Sequence, residues 1–276
     1  IMKHNKLKSS TFFYFSATLI AIFMLLPFFW MISTSLKNSG AVMTIPIKWI
    51  PENPSLDAYK RVFNIFPFAR AIFNSVFVAV ATTLITVLSS AMAAYVFAKF
   101  EFKGREILFS LYLATLMIPK QVTMIPNFLI IRELRLLNTF TGLMLPSLFN
   151  AFATFMLRQN IKTVPDSYIE AAVMEGSSQF RIFKDIILPL IKPTLATLTV
   201  ITFMEAWNRY LWPLIVLTDR SKMTLPVGLS LLNGQYGEQY NLLMAGSLIS
   251  IIPMLLVYIF AQKYFEKGLS VGGIKG

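Results

Sequence analysis

The stretch AIFNSVFVAVATTLITVLSSAMAAYVFA, residues 71–98, decides the class of fold. It runs 28 residues from Arg70 to Lys99 without a charge. A helix needs about 20 predominantly apolar residues to cross the hydrocarbon core of a bilayer, so this segment reads as a membrane span. Three more charge-free runs pass the same test: residues 9–36 (28 long), 136–157 (22 long) and 239–262 (24 long). Ile107–Ile131 passes if Lys120 is accommodated, and Pro193–Leu217 if Glu205 and Arg209 are. The fold class read from the chain is an all-α integral membrane protein of six transmembrane helices, at about 10–35, 71–98, 107–131, 136–157, 193–217 and 241–262.

Composition points the same way. Apolar residues make up 56% and charged residues 14% of the 276, and the mean hydropathy is +0.64. Disorder requires low hydrophobicity and high charge density, and a soluble domain cannot hide this much apolar surface. Cysteine is absent and His4 is the single histidine, which excludes Ser-His-Asp and Cys-His catalysis and multi-histidine metal sites. No catalytic residue and no metal are expected. Neither GxxxxGK[ST] nor GxGxxG occurs, so the chain has no nucleotide loop of its own. The apolar run Phe12–Ile32 is longer than a signal-peptide core of roughly 7–15 residues and reads as a retained first helix.

An even number of spans puts both termini on one side. Of the 25 Lys and Arg residues, 14 fall on that side, which makes it cytoplasmic by the positive-inside rule. The net charge of +12 is then mostly juxtamembrane bias and asks for no nucleic-acid partner.

The loops differ in kind. External loop 36–70 carries Pro46, Pro51, Pro54 and Pro67, with one short helix expected around Leu56–Phe63. External loop 218–240 carries Pro226, Gly228, Gly234 and Gly237, and the tail from Lys263 is polar and glycine-rich. Cytoplasmic loop 158–192 is the informative one. Its sequence from residue 160 to 193 is NIKTVPDSYIEAAVMEGSSQFRIFKDIILPLIKP. Pro165 and Asp166 suit a helix start, Gly176 a helix stop, and Ser177 or Ser178 a second start. Phe180, Phe183, Ile187 and Leu190 then form one apolar stripe, and Pro189 and Pro193 bend the chain back into the membrane. A helix-turn-helix under the membrane is expected. Ala171 and Ala172 strip bulk from one face, where a protein partner could approach, and Glu170 and Glu175 could pair with its basic groups. The alternative is an amphipathic helix resting on lipid headgroups.

Glu170-Ala171-Ala172, then Gly176, Ile186 and Leu188-Pro189 at their spacings, resemble the EAA signature of ABC-importer permeases. Asn74-Ser75, AAYVFAKFEFKGR (93–105), Met117-Ile118-Pro119, Trp207-Asn208, Trp212-Pro213 and GLSVGGIKG (268–276) are similar to the second permease subunit of maltose-type carbohydrate importers. The likeness covers nearly the whole chain. It implies a subunit of the bacterial cytoplasmic membrane that pairs with a second, related permease. Two ATPase subunits, holding ATP and Mg2+ that this chain does not bind, would sit beneath. An extracytoplasmic solute-binding protein would deliver a sugar. Glu170, Ala171, Ala172, Gly176, Leu188 and Pro189 would form the element coupled to the ATPase, with Glu170 as polar anchor and Gly176 as turn. Gly268, Ser270 and Gly273 in the tail would reach between the ATPases. Asn233, Gly234, Gln235 and Tyr236 would touch the binding protein.

Seven polar and aromatic residues are candidates for the substrate path: Asn74, Tyr95, Asn150, Glu205, Trp207, Asn208 and Tyr210. Aromatic faces stack on pyranose rings and amides bond hydroxyls, although Trp and Tyr also mark membrane interfaces. Tyr112 and Trp212 share that ambiguity. Glu205 and Arg209, four apart, are expected to pair on one helix face, while Lys120 can snorkel to the interface. The family usually has an acid where Arg209 stands. Ser90 with Ala94, and Gly246 with Ser250, have the spacing of close helix contacts. An ion-coupled secondary transporter would show inverted repeats and coupling carboxylates, a channel a filter motif, and a membrane enzyme a nucleophile. None of these gives the EAA element a purpose.

Overall fold

The computed structural model describes residues 2–42, 44–232 and 239–270, with only the backbone described for 2–12, 261 and 263–270. Those residues are helical or irregular, with no strand among them. The helices are α1 (Met2–Ser35), α2 (Asp57–Ile65), α3 (Phe68–Lys99), α4 (Arg105–Ala114), α5 (Lys120–Glu133), α6 (Phe140–Met144), α7 (Ala151–Lys162), α8 (Ser167–Met174), α9 (Gln179–Ile182), α10 (Leu188–Leu190), α11 (Lys192–Trp207), α12 (Leu211–Val216), α13 (Leu225–Leu232) and α14 (Tyr240–Ser270). A π-helical turn, Phe183–Ile187, joins α9 to α10.

Three helical segments are long and apolar enough to cross a membrane unbroken: Phe13–Ser35, Phe68–Lys99 and Tyr240–Phe260. Three bent pairs bring the number to as many as six. Residues 107–131 are not one straight span, because Arg105–Met117 and Lys120–Glu133 meet at 103°. Pro119 supplies the reason: it forces Ile118 out of the helical region, to φ −86° and ψ 117°. Phe140–Ser147 and Ala151–Lys162 meet at 48°, and Gln179–Leu190 and Lys192–Trp207 at 82°. The expected span 193–217 is interrupted as well, since α11 ends at Trp207 and α12 starts at Leu211.

The chain divides into two compact units. In the first (1–68 and 228–251), α1 presents large apolar side chains to its surroundings over most of the span, Phe23 and Leu25 among them. Its last turn is polar and buried. There Ser35 Oγ lies 2.8 Å from the Tyr59 hydroxyl, which holds α2 against the end of the span. Asn241 Nδ2 donates to the Lys37 carbonyl at 3.0 Å. Gly228 and Gly246 allow close approach. A Cβ would fall 2.4 Å from the Phe66 ring at the first and 2.5 Å from Leu229 Cδ2 at the second.

In the second unit (69–227 and 252–276), one apolar core gathers Ala91, Ala94 and Tyr95 of α3, Leu157 and Ile161 of α7, Ala172 of α8, and Ile182, Ile187 and Ile191. The breaks between helices leave carbonyls without helical partners, and such groups cost several kcal/mol each where no water reaches them. Side chains of α3 answer two of them. Thr86 Oγ1 donates to the Ser147 carbonyl at 2.7 Å, and Ser89 Oγ donates to that of Leu148.

Candidate functional site

Two regions of the second unit collect the candidate residues. The first is the helix-turn-helix. The end of α8 is closed by a pair of backbone bonds, Ser177 N–H to Ala172 O and Gly176 N–H to Val173 O, each 2.9 Å. This is the Schellman arrangement, which requires a left-handed residue after the helix. Gly176 takes it, with φ +77° and open space around the site of a Cβ. Glycine is needed there for its backbone freedom, not for room. Ser178 caps the next helix, its Oγ accepting from Arg181 N–H at 3.4 Å.

Ala171 and Ala172 do not share one docking face, because adjacent helical residues point about 100° apart. Ala172 is packed into the core with Ile169 beside it, while Ala171 faces outward. The outward surface consists of Glu170, Ala171, Val173, Met174 and Glu175, with Met174 88% exposed. Phe180 and Leu190 are exposed too, so the expected stripe of Phe180, Phe183, Ile187 and Leu190 is not the buried one. Ile182, Phe183, Ile187 and Ile191 are buried instead. The π turn over Phe183–Ile187 carries more residues per turn than an α-helix and shifts the register. Leu188 is half-buried against the same core, and Pro189 is exposed.

Cations tie this element to the neighbouring helices. Lys99, at the end of α3, donates to the Val164 carbonyl and to Asp166 Oδ1, both at 2.6 Å. Asp166 thus serves Lys99 and makes no side-chain cap on α8. Arg158 of α7 is buried. Its Nε donates to the Phe97 carbonyl at 3.0 Å, its guanidinium stacks 4.0 Å from the Phe109 ring centroid, and it pairs with Glu106. A carbonyl in the last turn of α3 thereby gains a charged donor. Tyr95 packs against this element. It is buried, donates from its hydroxyl to Gln179 Oε1 at 2.8 Å, and packs on Phe183.

The second region is the set of helix breaks. Glu205 makes no contact-distance ion pair with Arg209, because α11 ends at Trp207 and the i, i+4 geometry is lost. Glu205 pairs with Lys120 at the start of α5, 85 residues away. Arg209 Nη1 donates to Ser147 Oγ at 2.6 Å. Asn150 caps α7 by accepting from Ala153 N–H at 3.0 Å. Asn208 is exposed and donates to the Met204 carbonyl at 3.0 Å. Trp207 is buried and stacks on Phe203, whereas Tyr210 is exposed. Glu205 and Arg209 of one break are thus joined to Lys120 and Ser147 of two others. The Lys120 partnership had no signal in local spacing.

Asn74 lies elsewhere. It is buried and donates through Nδ2 to the carbonyls of Ser221 and Met223, both at 3.0 Å. Beside it, Ser75 Oγ accepts from Leu225 N–H at 2.7 Å. The Asn74-Ser75 pair therefore staples loop 218–225 to α3. Asp219 tightens that loop. Hydrogen bonds from Ser221, led by its backbone N–H at 2.8 Å, hold the Asp219 carboxyl below the usual carboxylate range. Asn233, Gly234, Gln235, Tyr236 and Gly273 lie outside the described residues, while Gly268 and Ser270 fall in the last turns of α14.

Comparison with known proteins adds the following. Residues 85–271 match the family model described as "Binding-protein-dependent transport system inner membrane component". The arabinooligosaccharides transport system permease protein AraQ of Bacillus subtilis is 36% identical over 261 residues, covering 94% of this chain and 93% of that protein. The sn-glycerol-3-phosphate transport system permease protein UgpE of Salmonella typhi is 35% identical over 240 residues, 84% of this chain and 85% of that protein. Among solved structures, a chain of a bacterial ABC transporter involved in import of the acidic polysaccharide alginate superposes with a TM-score of 0.80 at 28% identity, covering 92% of this chain and 96% of that one. A chain of the alginate transporter in complex with a pentasaccharide-bound periplasmic protein gives a TM-score of 0.62 at 18% identity, a likeness of fold.

Proposed function

The chain belongs to the family of binding-protein-dependent transport system inner membrane components, and from that premise we propose that it is one permease subunit of an ATP-driven sugar importer. It crosses the membrane six times with both termini in the cytoplasm, and the sugar is an oligosaccharide. It pairs with a second, related permease, receives substrate from a solute-binding protein, and performs no catalysis of its own. ATP and Mg2+ act on two partner ATPase subunits.

The observation that carries the reading is α8 and its Gly176 turn. An EAA pattern is held rigid from within by Ala172 and by Lys99 of α3, while Glu170, Ala171, Val173 and Met174 are left free to meet a partner. Transport and ATP hydrolysis are then linked without sharing a site. Closure of the ATPase dimer moves the element, and the element moves the spans packed on it. Glu170 anchors the docked helix, and Leu188 and Pro189 transmit the motion to α11. The tail residues Gly268, Ser270 and Gly273 meet the ATPases, and residues 233–236 meet the binding protein. The polar groups at the breaks, Asn150, Glu205, Asn208 and Tyr210, face the substrate. The arabinooligosaccharide relative, matched over 94% of this chain, supports a sugar cargo. The glycerol-phosphate relative, at 35% identity, supports a small phosphorylated polyol as a second reading of the cargo.

The test is a mild-detergent pull-down of the full chain from its native membranes, followed by uptake in liposomes. The reading expects a second permease and an ATPase in the complex, and uptake that requires ATP but no ion gradient. Recovery of the chain alone, with uptake driven by an ion gradient, would overturn it.

A further inference from the structure

The external loop after α1 exposes apolar side chains that no part of the transport cycle described above uses. Ile45, Ile47 and Ile50 are 98%, 62% and 73% exposed, and Trp49 beside them is about half exposed. Three contacts fix where this segment sits. Ser33 Oγ donates to the Trp49 carbonyl. The Trp49 ring meets Trp30 edge-on, centroids 5.1 Å apart. Lys37 Nζ lies 4.3 Å over the Trp30 ring and donates to the Lys48 carbonyl at 2.5 Å. Trp30 and Ser33 belong to the last turns of the Phe13–Ser35 span. The loop is therefore folded back to the depth at which that span leaves the hydrocarbon. Tryptophan and lysine concentrate at that depth in membrane proteins, the ring in the headgroup zone and the ammonium toward water.

We propose that residues 45–50 form an interfacial anchor whose isoleucines and Trp49 insert into the headgroup zone of the bilayer at the end of the α1 span. The occupant is lipid because the exposed apolar surface continues directly from the apolar, exposed side of α1, and because two backbone carbonyls of the segment are turned inward. Ser33 and Lys37 hold the Trp49 and Lys48 carbonyls, leaving the apolar side chains for the bilayer, while the exposed Lys48 ammonium pairs with Glu52 at 2.8 Å, as a lysine at headgroup level can. Such an anchor pins the end of the first span while the rest of the subunit moves, and it does so whatever the cargo is.

The chain has no cysteine, so single labels are straightforward. Ile47→Cys and Ile50→Cys, each carrying a nitroxide, would be placed in the assembled transporter in nanodiscs of phosphatidylethanolamine and phosphatidylglycerol. Asn53→Cys, at an exposed polar position of the same loop, is the reference. The anchor predicts that positions 47 and 50 are more accessible to oxygen than to a water-soluble nickel chelate, with the reverse order at 53. Two results would overturn it: the same water-exposed reading at all three positions, or shielding of 47 and 50 from both reagents, which would place a protein partner on the patch. Two labelled positions keep the test decisive if one variant fails to assemble.

Discussion

The helix-turn-helix and the helix breaks lie in one compact unit, and they are built to opposite rules. In the helix-turn-helix, half-buried Lys99 and buried Arg158 each hold a backbone carbonyl as well as a carboxylate, and Ala172, Ile182 and Ile187 close an apolar core beneath. At the breaks Lys120, Glu205 and Asn208 stand exposed and are joined by single contacts, as in the pair of Lys120 with Glu205. The first arrangement resists deformation because a packed core has few alternatives. The second can exchange partners without opening a core. Under the proposed function the first region is the lever, which has to be stiff, and the second the pathway, which has to repack.

The comparison can be broken by substitution, and the largest effect is expected at Gly176. Gly176→Val puts a β-branched residue at φ +77°, a region costing about 1–2 kcal/mol for an L-residue. Uptake by the assembled transporter should fall about tenfold, in line with 1.4 kcal/mol per decade, while Gly176→Asn should keep most of it. Next is Arg158→Met, which leaves the Phe97 carbonyl without its charged donor. A loss of about 1–3 kcal/mol should appear as a lowered melting temperature of the complex. Lys120→Gln and Glu205→Gln should change stability by less than about 1 kcal/mol, because the pair is exposed, and should alter the uptake rate instead. Melting as large as that of Arg158→Met would erase the contrast. Asp166→Asn should have the smallest effect, about 0.5 kcal/mol or less, since Asp166 is exposed and Lys99 keeps the Val164 carbonyl.

How much of this was legible depended on whether the cause was local. The all-helical membrane class follows from run lengths, and the Gly176 turn from the one residue that tolerates a left-handed backbone. The apolar stripe after it was not legible, because a π turn moves the buried set from Phe180 and Leu190 to Ile182 and Ile191. The bend at Pro119 was foreseeable in kind, since a residue before proline avoids the helical region, but its 103° was not. Residue type alone also left partners open: Tyr95 and Asn74 are as suited to a sugar as to an amide or a carbonyl of the protein. Only the fold assigns Tyr95 to Gln179 and Asn74 to the loop at 221–223. The Glu205–Arg209 spacing failed because it presumes a helix that ends at Trp207.

The most direct test of the coupling element uses the exposed Met174 beside the Gly176 turn. Met174→Cys, in the otherwise cysteine-free chain, would be treated with a short thiol-to-amine cross-linker in native membranes, with Lys120→Cys as the reference. The account predicts an adduct of the Met174→Cys chain with an ATPase subunit, lost when Gly176→Val is added, and no such adduct from position 120. No ATPase adduct at position 174, or equal adducts from both positions, would contradict it.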